Sequence, residues 1–227
     1  MIRLGLIGKN IKHSQSKFVY EKILKKNIDY KHYDVDNKVD LPSLDKLFSE
    51  VEGVSITAPY KKDYQSVVNI VGEVAKLGII NCIRKNGQIY EATNTDFLAV
   101  HSFLKEHLSS CDSEVIILGD GSMAEITIFS LGLLNKDFKQ FSRKKTQGFS
   151  SIDLSTLTGK NALVINTCAR EYTYNGPIRN GIIFWDYNYS HKNHSDRFLN
   201  STIQYIDGMD LLRNQAIHAL AFWGINY

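Results

Sequence analysis

Thr57 and Lys61, four residues apart, could direct a hydroxyl and an ammonium into one ligand site. They lie on either side of Pro59, at the end of a β-branched run, Val54 to Ile56, that is typical of a buried strand. Because proline lacks an N–H group and ends such a strand, the hydroxyl and the ammonium would lie at its carboxyl edge. Open α/β sheets bind ligands at that edge. Taken alone, however, the stretch favours a plainer interpretation, a strand–turn–helix junction with a solvated lysine.

A second candidate site is the glycine-rich segment 119–124, which reads G-x-G-x-x-A. It follows an apolar strand predicted at 114–118 and opens a helix predicted over 124–134. Glycines in this position allow a tight turn and a close approach of the backbone to a pyrophosphate at the helix N-terminus. The alternative is a glycine-rich turn that binds no ligand.

A basic cluster, Ser142-Arg143-Lys144, ends the next predicted strand. In an NAD site, an Asp or Glu at this point would bind the ribose hydroxyls. Arginine and lysine suit the additional 2′-phosphate of NADP instead. Without the glycine-rich segment, a solvated basic turn would explain the cluster equally well.

Alternating strand and helix patterns must position these residues, which implies parallel sheets with helical crossovers. A hairpin with an Asn-Gly turn is predicted around Gly87. Ser16 is predicted to cap the first helix, whose apolar face would come from Phe18, Ile23 and Leu24. Strands are predicted at 3–7, 31–35, 54–57, 79–84, 88–92, 114–118, 139–142, 162–165, 182–185 and 202–206. Helices are predicted at 16–26, 43–50, 61–71, from 97 onwards, at 124–134 and at 208–224.

Composition excludes several classes of protein. The 227 residues can bury a substantial core, and a net charge of +3 is too small to indicate a nucleic-acid partner. The three cysteines show no CxxC spacing and support neither a disulfide framework nor a metal site. We expect no signal peptide in the first strand and no apolar run of the ~20 residues that cross a bilayer. A cytoplasmic protein without a membrane partner is therefore expected.

The order of short motifs along nearly the whole chain resembles the shikimate dehydrogenase family. Asn94-Thr95-Asp96 matches the family's N-T-D intact. The other matches, before and after it in the chain, occur in the family's order. His13–Ser16 resembles H-S-x-S, 55–61 resembles N-V-T-x-P-x-K, Asn81-Cys82 resembles the end of G-A-x-N-T, 119–124 stands for G-A-G-G, Ser142-Arg143 for N-R, Asn166-Thr167 for N-x-T, 186–189 for D-x-x-Y, and 208–215 for the final helix.

This resemblance implies two α/β domains. Residues 1–97, with a returning helix at 208–227, would form a substrate-binding domain around a mainly parallel sheet. Residues 98–207 would form a Rossmann-type NADP-binding domain. The family's cofactor positions correspond to Gly119, Gly121, Ser122, Met123, Ala124, Ser142, Arg143, Lys144, Asn166, Thr167 and Gly208.

The resemblance also implies an activity, the reversible NADPH-dependent reduction of 3-dehydroshikimate to shikimate in the chorismate pathway to aromatic amino acids. Such a reaction needs a proton donor beside the ketone oxygen. The matched positions supply Lys61 as acid/base and Asp96 as its carboxylate partner and a substrate contact. The matched substrate-binding positions are Ser14, Ser16, Thr57, Asn81, Asp96, Tyr189 and Gln215, with no metal.

Several departures from the family pattern bear on cofactor binding more than on the catalytic pair. Ser55 replaces an Asn, Cys82 a Thr and Ser122 a loop glycine, while Asp120 puts a carboxylate near the expected pyrophosphate. Two alternatives stay open: a dehydrogenase for quinate or another cyclohexane carboxylate, and a metabolite-binding protein without catalysis. We expect a monomer or homodimer.

Overall fold

The computed structural model describes residues 1–108, 114–143, 149, 152–158 and 162–227. The chain divides into two compact units, Met1–Ala99 with Leu212–Tyr227, and Val100–Leu211. Both units are α/β, as predicted. Among the described residues, no helix has both the length and the apolar character needed to cross a bilayer.

The first unit is built around a six-stranded sheet in the order β2-β1-β3-β5-β6-β4. Its elements are β1 (Arg3–Gly8), α1 (Ser16–Leu24), β2 (Asp29–Asp34), α2 (Leu44–Glu50), β3 (Gly53–Ile56), β4 (Asn69–Ile70), β5 (Cys82–Asn86), β6 (Ile89–Thr93), the start of α3 (Thr95–His107) and most of α6 (Met209–Phe222). The β1–β2, β1–β3 and β4–β6 pairs are parallel, whereas β5 is antiparallel to β3 and β6. The sheet is therefore mainly parallel, as predicted.

Local sequence explains most of these elements. The Ser43 hydroxyl accepts a hydrogen bond from the Lys46 N–H and so caps α2. Gly87, at φ +61°, lies in the two-residue turn between β5 and β6, where a side chain would be strained. β3 ends before Pro59, as proline's missing donor requires.

The first helix differs from its prediction in two details. Ser16 is its first helical residue rather than its cap, and the Ser14 hydroxyl accepts the Ser16 N–H instead. Val19, Tyr20 and Leu24 supply the buried face, while Phe18 is 48% exposed. The helix is therefore turned so that a tyrosine, rather than a phenylalanine, enters the core.

The helix predicted over 61–71 is wrong. After a series of turns, a short 3₁₀ helix covers Gln65–Val67, and β4 follows at Asn69–Ile70. Ile70 pairs with Ala92 of β6, and the Val71 N–H donates to the Ala92 carbonyl at 2.9 Å. The β-branched valines and isoleucine of this segment favour an extended chain, and the edge of β6 offers them a partner.

Helix α6 returns to the first unit through polar and apolar contacts with β3 and β5. The indole of Trp223 packs where a side chain at Gly53 would lie, 2.5 Å from the ideal Cβ position, and its Nε1 donates to the Ile83 carbonyl at 2.9 Å. Arg84 donates to the Phe222 carbonyl at 2.6 Å and pairs with Glu91. This docking confirms the predicted returning helix.

The second unit has an all-parallel sheet in the order β11-β10-β9-β7-β8. Its elements are β7 (Val115–Leu118), α4 (Ser122–Leu133), β8 (Lys139–Phe141), β9 (Leu163–Asn166), β10 (Ile183–Asp186), α5 (Lys192–Phe198) and β11 (Gln204–Ile206), with α3 continuing into this unit. Helix α5 has no counterpart among the predicted elements. In this doubly wound order the direction of winding reverses between β7 and β9, and ligands of such sheets bind at that switch point.

Candidate active site

Lys61 and Asp96 form an ion pair in the first unit, with Nζ 2.6 Å from Oδ2. Their side chains are only 9% and 15% exposed. Lys61 lies in the turn after β3, where its carbonyl accepts the Ile80 N–H. Asp96 lies in the first turn of α3, where the positive end of the helix dipole favours a carboxylate. The structure thus brings the predicted acid/base and its partner together.

Two tyrosines hold the Lys61 turn against the core. Tyr60 and Tyr64 are both buried, and their hydroxyls donate to the carbonyls of Val35 and Pro42 at 2.7 and 2.8 Å. The turn between them is therefore anchored on both sides of the lysine. This anchoring holds the turn that carries the Lys61 ammonium. The helix that was predicted to start at this lysine is not needed for it.

Asn81 and Gln215 meet through Thr95, which the sequence analysis quoted only as part of a motif. The Thr95 hydroxyl lies 3.0 Å from Nδ2 of Asn81, from which it accepts, and 3.1 Å from Oε1 of Gln215, to which it donates. The Thr95 N–H donates to Oδ1 of Asn81 at 2.7 Å. Both amides are thereby oriented, and Nε2 of Gln215 donates to the Leu212 carbonyl. Because Nε2 carries two hydrogens, one N–H of Gln215 is left for a ligand.

The sheet below these residues carries two of the departures from the family motifs. Ser55 and Cys82 are directly opposite each other on β3 and β5. The fully buried Tyr20 places its hydroxyl 3.3 Å from the Ser55 hydroxyl. Burial, with the negative charge of Asp96 adding to it, raises the pKa of the Cys82 thiol well above its usual value. Cys82 is therefore a neutral group beside the Lys61–Asp96 pair.

The remaining substrate positions predicted in the first unit lie at the carboxyl edge of β1 and β3. Ser14 and Ser16 contact each other directly, because the Ser14 hydroxyl donates to the Ser16 hydroxyl at 3.1 Å. Thr57 follows β3 directly, and its N–H donates to the Ile7 carbonyl at 2.9 Å. These hydroxyls supply short polar groups of the kind that bind a carboxylate or polyol.

The glycine-rich segment of the second unit lies at its switch point. Gly119, with φ +125°, packs against the loop after β9 so closely that an added Cβ would lie 2.3 Å from Oγ1 of Thr167. Gly121 has open space on its Cβ side and precedes the first turn of α4, which contains Ser122, Met123 and the buried Ala124. A helix N-terminus behind an uncovered glycine fits a pyrophosphate. Asp120 is exposed.

The basic cluster is only partly described. Ser142 is buried, whereas the half-buried Arg143 stacks on Tyr172, with its guanidinium carbon 3.2 Å from the ring centroid. Lys144 lies outside the described residues. Tyr172 was not among the predicted site residues, because nothing in the local pattern distinguishes it from an ordinary loop tyrosine.

A buried polar hub behind the switch point is centred on Asp186. Its Oδ1 accepts from Nδ2 of Asn166 at 2.9 Å and from the N–H and side chain of Asn188. Its Oδ2 lies 3.0 and 2.7 Å from Nδ1 of His191 and His194. Burial acts to raise the pKa of Asp186, but the bonds from His194, Asn188 and His191 together lower it below its usual value. Asn166, a predicted cofactor position, is thus engaged internally.

The same three groups could be considered as metal ligands, because Asp186, His191 and His194 offer atoms within 4.8 Å of one another. The surrounding bonds argue for a hydrogen-bonded hub instead. Nε2 of His194 accepts the Tyr174 N–H at 2.9 Å, so a neutral ring carries its proton on Nδ1 and donates it to Asp186. A metal would need the lone pair of that same Nδ1.

Two further predicted positions belong to the second unit. The Tyr189 carbonyl accepts from Arg170 at 2.7 Å, and the Arg170 guanidinium also lies over its ring. Gly208 approaches the Tyr187 carbonyl so closely that a Cβ would lie 2.3 Å from its oxygen. Contacts of Tyr189 with substrate and of Gly208 with cofactor stay predictions.

Comparison with known proteins agrees with this geometry. Residues 6–83, which include Ser14, Ser16, β3 and Lys61, match the family model of the shikimate dehydrogenase substrate-binding domain. This part of the chain is therefore similar to the substrate-binding domain of shikimate dehydrogenases.

Two relatives show how far the sequence similarity extends. A shikimate dehydrogenase (NADP(+)) of Caldicellulosiruptor saccharolyticus is 36% identical over 143 residues, which cover 58% of this chain and 50% of that protein. A shikimate dehydrogenase (NADP(+)) of Saccharolobus solfataricus is 26% identical over 242 residues, 96% of this chain and 88% of that protein. The stronger similarity is therefore partial, and the weaker one covers nearly the whole chain.

Solved structures support the fold. The shikimate 5-dehydrogenase of Thermus thermophilus in complex with NADP(H) and shikimate covers 98% of this chain and 93% of its own, with a TM-score of 0.76 and 16% identity. The shikimate dehydrogenase of Aquifex aeolicus has a TM-score of 0.75 at 20% identity, over 98% of this chain and 92% of its own. The predicted shikimate dehydrogenase fold is confirmed.

Proposed function

We propose that this chain catalyses the reversible, NADP-dependent reduction of 3-dehydroshikimate to shikimate, with Lys61 as the acid/base and Asp96 as its partner. The single observation that carries the proposal is the buried ion pair between them, at 2.6 Å. It lies in the first unit, whose residues 6–83 match the model of the substrate-binding domain. A lysine in this position has a carboxylate that orients it and a backbone hydrogen bond that fixes its turn. Both relatives described above are named for this activity with NADP(+).

When bound, the reduced cofactor supplies the hydride that adds to the carbonyl carbon. The carbonyl oxygen then gains negative charge, and the Lys61 ammonium donates a proton to it, which completes the alcohol and leaves a neutral amine. In the reverse direction the amine accepts the proton of the hydroxyl. Asp96 holds the Lys61 side chain in place in both directions, through the hydrogen bond of 2.6 Å between Nζ and Oδ2.

The substrate's hydroxyls and carboxylate require many short polar groups. We assign this role to Ser14, Ser16, Thr57, Asn81 and Gln215 of the first unit, while a substrate contact of Tyr189 stays a prediction. The observed bonds support one refinement: since Thr95 occupies Oε1 of Gln215, this glutamine would act as an N–H donor toward substrate oxygen.

We assign the second unit to NADP. Gly121 and the first turn of α4 offer an uncovered backbone for the pyrophosphate, and Arg143 offers a guanidinium for the 2′-phosphate. Gly119, Asn166 and Thr167 would support the cofactor site without touching the cofactor, because their observed contacts are with other protein groups.

A biosynthetic role in the cytoplasm, in the chorismate pathway, is part of the proposal. The described cysteines, Cys82 and Cys168, are free and buried, which fits a reducing compartment.

A spectrophotometric assay tests the proposal: purified protein is mixed with shikimate and NADP, and the reduced cofactor is followed by its absorbance. Parallel reactions contain quinate or NAD. We expect turnover with shikimate and NADP, and loss of most of it in Lys61→Met. Lys62→Met, an exposed neighbour, is the matched control and should keep its activity. Binding of both ligands without turnover would identify a non-catalytic homologue, and faster turnover of quinate would reassign the substrate.

A further inference from the structure

The stack between Arg143 and Tyr172 connects two loops of the second unit. Arg143 lies two residues beyond β8, and Tyr172 lies in the loop after β9. In the sheet, β7 is between those two strands, and all three are parallel. Their carboxyl ends therefore lie along one edge, and the contact between Arg143 and Tyr172 joins the loops on the two sides of β7. The glycine-rich segment begins at the carboxyl end of β7.

Cys168, in the loop after β9, is influenced by the charge of Arg143. The thiol of Cys168 is buried in the loop after β9, and the backbone N–H of Cys168 donates to Oδ1 of Asn166. Burial raises the pKa of Cys168 to about 11, and the positive charge of Arg143 opposes this rise. The positive charge of Arg143 therefore acts on the loop after β9, which is the loop that packs against Gly119.

Tyr172 is a firm support for this arginine. Its ring is partly buried and packs against the core of the second unit, which includes Phe149, Ile152 and Phe184. Its N–H donates to the Ala169 carbonyl at 3.0 Å, so the backbone of the loop is also held. A flexible arginine stacked on a fixed ring loses less freedom when it binds a ligand.

We propose that Tyr172 is a positioning residue that holds the Arg143 guanidinium flat at the switch point, ready for the 2′-phosphate of NADP. Stacking occupies a face of the guanidinium and leaves its in-plane N–H donors directed outward, which is the edge that binds phosphate in a bidentate manner. Tyr172 itself touches no cofactor in this proposal. The inference rests on the proposed NADP-dependent function.

The alternative is a purely structural stack, in which the arginine covers an aromatic ring without any part in binding. The two interpretations differ in two measurable ways. A positioning role affects ligands with a 2′-phosphate more than ligands without one, and it acts only while Arg143 is present. A structural role affects both ligands alike and persists when Arg143 is removed.

Calorimetric titration of the full chain with 2′,5′-ADP and with 5′-AMP distinguishes these cases. The variants are Tyr172→Leu, Arg143→Ala and the double variant, and Tyr172→Phe is the matched control because it keeps the ring. We expect Tyr172→Leu to raise the Kd of 2′,5′-ADP about two- to fivefold, as a surface cation–π contact would. We expect Tyr172→Phe to bind like the wild type, 5′-AMP to respond little, and the leucine to have no further effect beside Arg143→Ala.

An equal loss for both nucleotides, tighter binding by Tyr172→Leu, or an undiminished effect of the leucine in the Arg143→Ala protein overturns the inference. If Tyr172→Leu does not fold, Arg143→Lys tests the stack from its other side, because lysine keeps the charge but has no planar face. Unchanged 2′,5′-ADP binding by Arg143→Lys would then reject the proposal. A wild-type protein that binds neither nucleotide overturns the proposed NADP dependence as well, so the two failures are distinguishable.

Discussion

The hydroxyl of Thr95 lies 3.1 Å from Oε1 of Gln215 and joins the first turn of α3 to α6 across 120 residues of sequence. The neighbouring residue, Asp96, binds Lys61. One turn of helix therefore positions both the proposed acid/base and two proposed substrate amides, those of Asn81 and Gln215. A change at Thr95 should alter substrate binding without touching the ion pair directly.

For this reason we expect Thr95→Val to raise the Kd of shikimate about tenfold. Valine matches threonine in shape but leaves two buried amides without their hydroxyl partner, which costs about 1–3 kcal/mol. Thr95→Ser is the matched control, since it keeps the hydroxyl, and should bind nearly as the wild type does. Titration calorimetry measures both values. Equal binding by the valine variant and the wild type would show that the amides keep their orientation without Thr95.

The ion pair should behave as one catalytic unit. Lys61→Met and Asp96→Asn are each expected to lower kcat, the lysine variant by about 10²–10⁴, the usual contribution of a positioned acid/base. The double variant should lose far less than the product of the two effects, because the carboxylate acts through the ammonium. Steady-state kinetics on all four proteins, with thermal melts to verify folding, provide the comparison. Fully multiplicative losses would mean that the two residues act independently.

Two glycines of the same loop should fail in different ways when replaced by alanine. Gly119→Ala combines a positive φ with a Cβ 2.3 Å from Thr167 Oγ1, so we expect the free energy of unfolding to fall by at least about 1–3 kcal/mol. Gly121 has an ordinary extended backbone and open space around it. Gly121→Ala should therefore keep its stability within about 0.5 kcal/mol.

The same alanine at Gly121 is expected to weaken NADP binding about tenfold, because a methyl group there enters space proposed for the pyrophosphate and overpacking costs about 1–3 kcal/mol. Urea unfolding and nucleotide titration of both variants test the contrast. Unchanged NADP affinity in a folded Gly121→Ala protein would place the cofactor elsewhere.

The Asp186 hub gives the second unit a defined pH dependence. Because the pKa of Asp186 is lowered in the folded protein, its charge contributes stability above the ordinary aspartate pKa of about 4. That contribution is lost as the pH falls through the lowered value in the folded state. Asp186→Asn should therefore cost at least about 1.5–3 kcal/mol near neutral pH, the range for hydrogen bonds to a charged group.

Urea unfolding as a function of pH tests this expectation. The difference between the wild type and Asp186→Asn should be present near neutral pH and should narrow below about pH 4. Asp196→Asn, on the neighbouring helix α5, is the control and should match the wild type throughout. A loss of equal size at every pH would assign the effect to shape rather than charge.

Sequence predictions failed where packing overrode local preference. The apolar residues of 61–71 suggested a helix, yet their β-branched side chains and the free edge of β6 produce β4. In α1, Phe18 and Tyr20 are comparable in local pattern, and only contacts with Trp223 and Ser55 select the tyrosine for the core. Helix α5, in a polar segment, is stabilised by His194 and Phe198, which are buried within the second unit.

The class of fold, the order of most strands and helices, the glycine-rich loop and the residues of the family motifs could all be predicted from the amino-acid sequence. These features depend on period, turn chemistry and short motifs, all of which act over a few neighbouring residues. Only the tertiary structure decided that Lys61 meets Asp96, that Thr95 joins Asn81 to Gln215, that Asn166 turns inward to Asp186 and that Arg143 lies on Tyr172. Such contacts join residues 14 to 120 positions apart in the sequence. Their geometry therefore arises only when the strands and helices of each unit pack together.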